Sequence, residues 1–155
     1  MNNADLWLQR YERDHTHAVN RVLHWICIPF IVVGLVGLLW ALPVPAVFSD
    51  SSPVLNFGAF FLMATVVYCF IMSIRLAVGM LPFILGVAFV VSWLDGLNTP
   101  LWLLSATTFA VAGTGQLIGH TFEGRPVSLF SDLNFVIIGP MWIVASIYQR
   151  LGIPY

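Results

Sequence analysis

Four apolar runs of about twenty residues, parted by short polar breaks, fix what this chain can fold into. A helix needs about 20 apolar residues to cross the hydrocarbon core of a bilayer. The runs extend from about Val22 to Leu42, Val54 to Ser73, Leu76 to Leu94 and Leu101 to Gly119. The first closes at Pro43 and Pro45; the later breaks are Ser49 to Pro53, Arg75, and Asp95 to Pro100. Connections this short favour antiparallel neighbours in a bundle. A fifth stretch, about Leu133 to Tyr148, is shorter and interrupted by Gly139-Pro140. It reads as a re-entrant or interfacial helix in preference to a fifth span. Before the first run, Trp7, Leu8 and Tyr11 recur at helical spacing among mixed charges, the pattern of an amphipathic helix lying in the interface. The expected fold is an all-α integral membrane protein: one membrane domain over residues 1–155, with four transmembrane helices, an N-terminal interfacial helix and the fifth segment.

Composition agrees. Hydrophobic residues make up 59% of the chain and charged residues 8%, against about 25% charged in a soluble domain. A net charge of -1 leaves no basic footprint for nucleic acid. Cys27 and Cys69 fall inside apolar runs and read as buried small hydrophobes rather than a disulfide. Trp25, Trp40, Trp93, Trp102 and Trp142 fall near run ends, as an aromatic belt does. All 6 basic residues are arginines. Arg10, Arg13 and Arg21 precede the first run, Arg75 divides the second from the third, and Arg125 follows the fourth. The opposite loops, about 43–53 and 95–100, carry none. The positive-inside rule then places the N-terminus, Arg75 and Arg125 in the cytoplasm. A multi-pass protein of the bacterial inner membrane is expected, or of the endoplasmic reticulum in a eukaryote.

The 4 histidines collect at two places, His15, His17 and His24 at the entry to the first run and His120 at the exit of the fourth. With four antiparallel spans, both places face one side, so the rings can converge. Histidine is the commonest metal ligand, and a polar ring at a membrane edge calls for a function. On one unbroken helix, His15 and His24 lie about 13 Å apart along the axis on opposite faces, and His17 and His24 share a face about 10 Å apart. A shared ion therefore requires a bend near residues 16–20, with Asn20 a candidate N-cap. Gln116, His120 and Glu123 fall at helical spacing, and Arg125 can receive a carboxylate in a forked hydrogen bond. From the residues alone, three readings stay open: an imidazole-bound iron or zinc centre, a membrane anchor holding haem between two histidines, and a non-catalytic membrane scaffold.

At these residues the chain resembles the membrane 2-hydroxy fatty acid dioxygenases of fatty-acid α-oxidation, the family that includes the enzyme of phytosphingosine breakdown. The first block of resemblance is Tyr11-x3-His15-x4-Asn20-x3-His24-x4-Pro29. The second is Gln116-Leu-Ile-Gly119-His120 followed by Phe122-Glu123-Gly124-Arg125-Pro126. The stretch from Glu123 to Pro126 is shorter than in the eukaryotic enzyme. The resemblance implies an Fe(II)-dependent enzyme that shortens 2-hydroxy fatty acids by one carbon using O₂. It makes His15, His24 and His120 the iron ligands, with His17 a further candidate, and marks Tyr11, Asn20, Gln116, Glu123 and Arg125 as active-site positions. The acyl tail is then expected between helices, beside Phe30, Phe60, Phe61 and Phe83.

Overall fold

The computed structural model describes residues 17–49, 52, 55–122 and 129–153. Among them all regular secondary structure is helical. Five helices carry the architecture: α1 Ala18–Trp40, α2 Phe57–Met72, α3 Ile74–Asp95, α4 Leu101–Thr121 and α5 Leu129–Leu151; a single turn, Ala46–Ser49, follows the prolines after α1. α1, α3 and α4 are each long and apolar enough to cross a membrane, and α2 is a shorter apolar helix. The chain is thus compatible with a multi-pass membrane protein.

Local chemistry sets the boundaries. α1 starts at Ala18, earlier than the apolar run suggests, because His17 is extended and its ring accepts a hydrogen bond from the Val19 N–H. Asn20 is therefore not the cap; it lies inside the first turn and is fully buried. His17, extended, lies within the interval 16–20 where a shared ion would require a bend, and the chain before it lies outside the described residues. The run expected over 54–73 yields only 16 helical residues, about 24 Å at helical rise. Asn56 starts α2 late, its side-chain oxygen accepting from Ala59 N at 2.9 Å. The division between α2 and α3 lies at Ser73 rather than Arg75. Extended at φ -164, Ser73 donates its N–H to Cys69 O and caps α3 with its side chain. α5 runs through Gly139-Pro140 without a break. The interfacial helix expected before residue 17 lies outside the described residues.

α1 is the hub, packing against α2, α3, α4 and α5. Its contact with α4 is antiparallel and close. Gly119 faces Asn20, Gly115 faces Cys27, Gly34 faces Phe109 and Gly37 faces Ser105. At Gly37 a Cβ would collide with the Ser105 hydroxyl, so only glycine lets the backbones approach this far. On the other flank of α1, Val36, Leu76, Met80, Val91 and Met141 are among the most buried side chains of the core. Both cysteines are buried free thiols, as expected.

α5 returns to the end of the bundle where α1 begins. Gly139 rests on Ile28, the Trp142 and Trp25 rings pack at 6.3 Å, and Tyr148 donates its hydroxyl to Arg75 O at 3.2 Å. Trp142 is only 4% exposed. It is a core residue locking α5 to α1 and not part of a belt, whereas Trp93 and Trp102 are exposed at the far end of the bundle. Phe61 and Phe83 pack against the core, while Phe30 and Phe60 face outward. The last two therefore do not line an interior path for an acyl tail.

Candidate functional site

The antiparallel contact of α1 with α4 decides where the histidines go. Asn20 and His24 lie one turn apart on one face of α1, and Gln116 and His120 do the same on α4. Gly119 brings the helices together at this level. A Cβ there would stand 2.5 Å from the Asn20 side-chain oxygen, so glycine alone admits the carboxamide between the helices. Across that contact the His24 and His120 rings meet edge to face, with centroids 5.3 Å apart and planes at 85°. The two residues are 96 positions apart in the chain (120 − 24). His24 is only 4% exposed, within a largely apolar bundle.

The other candidates separate. His17 is exposed, its Nδ1 accepts from Val19 N at 3.3 Å, and its ring stacks on Phe122 at 5.4 Å. It works as a cap at the mouth of the site, with one ring nitrogen already engaged. Gln116 is half-buried, but its Oε1 is enclosed and has no hydrogen-bond partner among the described residues. Tyr11, His15, Glu123 and Arg125 lie outside the described residues.

Sequence spacing did not reveal two contributors. Gly119 could have been suspected from its place inside the Gln116–His120 block, but its role depends on Asn20 in another helix. Phe122 carries no periodic signal; it reaches His17 only because α4 ends beside the start of α1.

The pair could supply two imidazoles to a metal ion: with bonds of about 2.1 Å a centroid spacing of 5.3 Å is within reach of a common ion, and it is equally an ordinary ring-packing distance. Among the described residues no group of three or more His, Cys, Asp and Glu side chains could hold a metal. Any further imidazole or carboxylate donor would come from beyond those residues, where His15 stands.

Charge is distributed unevenly about this end. Arg21 lies in the first turn of α1, Arg75 opens α3, and Arg150 in the last turn of α5 sits over the Trp25 ring at 5.5 Å. The far end has Asp95 and no arginine among the described residues.

Residues 1–151 match the family model described as 2-hydroxy-palmitic acid dioxygenase Mpo1-like, and the chain belongs to this Mpo1-like family. No curated protein and no solved structure matches it.

Proposed function

We propose, with membership of the Mpo1-like family as the premise, that the chain is an Fe(II)-dependent dioxygenase. It shortens 2-hydroxy fatty acids by one carbon using O₂. The observation that carries this reading is the His24–His120 pair, brought together from two helices at one end of the bundle. His24 and His120 would hold the iron, with His15 the third imidazole by family resemblance and His17 a weaker candidate because its Nδ1 is engaged. Iron, when bound, supplies the one-electron and O₂ chemistry that side chains lack.

The chain's own residues bind and orient. Gln116 and Asn20 each carry a carboxamide one helical turn from a histidine of the pair, and the apolar bundle would exclude water from its inner side. Glu123 and Arg125 follow His120 closely enough to serve the same site, Arg125 as a forked receptor for the substrate carboxylate. Tyr11 stands four residues before His15 and is assigned to the same site by the family motif. The acyl tail would remain in the apolar phase while its polar head reaches the histidines. Arg21, Arg75 and Arg150 at this end favour its placement on the cytoplasmic face, with four spanning helices and α5 applied to the same end. That orientation suits a bacterial inner membrane, or the endoplasmic reticulum in a eukaryote.

Direct contact between the two rings favours a single ion over haem, which would have to lie between its axial imidazoles. The test is iron content and O₂ uptake with 2-hydroxypalmitate. Wild type is expected to hold stoichiometric iron and turn over, and His24→Ala and His120→Ala to lose at least about 100-fold in activity. Full activity with iron retained in either variant contradicts the assignment; a Soret band in the purified protein would point to haem, and protein with no stoichiometric metal to a scaffold.

A further inference from the structure

α1 and α4 carry the same short pattern, a carboxamide followed four residues later by a histidine: Asn20 then His24, Gln116 then His120. Because the helices are antiparallel, each amide comes about level with the histidine of the other helix, Asn20 with His120 and Gln116 with His24. Asn20 lies toward the end of the bundle, level with Gly119, and Gln116 lies one turn deeper than His120. They are not equivalent. Asn20 is fully enclosed, with its oxygen pressed against the α4 backbone at Gly119. Gln116 is longer, and its Oε1 is buried without a hydrogen-bond donor among the described residues. A buried acceptor left in that state costs free energy that a ligand carrying a donor can offset. Gln116 stands on the same face of α4 as His120, one turn further into the bundle.

Resting on the function proposed above, we infer that Gln116 selects for the 2-hydroxyl group of the substrate. Its Oε1 accepts the hydrogen bond of a hydroxyl on the carbon next to the carboxylate. A fatty acid with hydrogen or fluorine at that carbon offers no donor and leaves the oxygen unpaired. A site that bonds a substrate hydroxyl rejects the analogue lacking it far more strongly than an apolar pocket rejects a change of size. Gln116 is thus a specificity-determining residue, distinct from the groups that hold the metal.

The experiment uses the full-length protein in lipid nanodiscs, loaded with Fe(II) and kept free of oxygen so that binding is read without turnover. It is titrated with 2-hydroxypalmitate, 2-fluoropalmitate and palmitate. Wild type is expected to bind the hydroxy acid about tenfold or more tighter than either analogue. Gln116→Met, of similar length but without a strong acceptor, is expected to bring all three within about twofold. Its iron content and unfolding midpoint should stay at wild-type values. A folded, iron-loaded Gln116→Met that keeps the full preference overturns the assignment and leaves the proposed function standing. Wild-type protein that binds none of the three overturns the function as well. If Gln116→Met does not fold, Gln116→Asn withdraws the same oxygen by one methylene and is read by the same two outcomes.

Discussion

The two ends of the α1–α4 contact are built with the same device and put it to different use. At each end a glycine lets a polar side chain of the facing helix lie against its backbone: Gly119 admits Asn20 at the histidine end, and Gly37 admits Ser105 toward the other. Both polar side chains are fully buried. The surroundings differ. Ser105 has Leu101, Phe109 and Gly34 nearby, and its hydroxyl makes no hydrogen bond among the described residues. It fills space in a seam where the backbones approach closely. Asn20 lies one turn from His24 and directly across from the residue before His120, so its placement fixes the level at which the two rings meet. Close helix packing is therefore a structural matter at one end and a chemical one at the other.

Adding a methyl group at each glycine sharpens the contrast, and the larger effect is expected at the histidine end. Gly119→Ala forces Asn20 or α4 to move, and His120 moves with the backbone beside it. Activity is expected to fall by tenfold or more, because a misplacement of about 1 Å can cost about 100-fold in rate. Iron content per folded molecule should fall too, as read by metal analysis of the monodisperse fraction. Wild-type iron loading and turnover in this variant would show that the level of the pair is not set here.

Gly37→Ala comes second. Its Cβ meets the Ser105 side chain, an overpacking expected to destabilise by about 1–3 kcal/mol, measured by unfolding in detergent or nanodiscs. Iron per folded molecule and the turnover of that fraction should stay within about twofold of wild type. A selective loss of iron in Gly37→Ala, at unchanged stability, would erase the distinction between the ends.

The sequence announced the larger part of this arrangement. Runs of about twenty apolar residues marked the positions of α1, α3 and α4, and the positions of the histidines at run edges implied a common end once the helices alternate. Boundaries were less legible because they depend on single side chains. The His17 ring caps α1 five residues before the run begins, Asn56 delays α2, and Ser73 joins two helices across one extended residue. Gly139-Pro140 looked like an interruption, yet α5 passes through it. Trp142 looked like a belt residue because its place near a run end is a one-dimensional fact; its burial depends on Trp25 in another helix. In the same way, spacing put Gln116 and His120 on one helix face, but the contact across the seam, Asn20 against Gly119, follows from register alone.

The central claim is that His24 and His120 hold one ion between them. Anaerobic titration of the purified protein with Fe(II), for wild type, His24→Ala, His120→Ala and the double variant, tests it directly. One tight site per chain is expected in wild type, and each single variant should lose about 100-fold or more in affinity. The double variant should be little worse than either single, because removing one ligand already breaks a shared site and coupled positions do not add. Single variants that keep stoichiometric iron, or losses that add as they do for independent sites, would contradict the account.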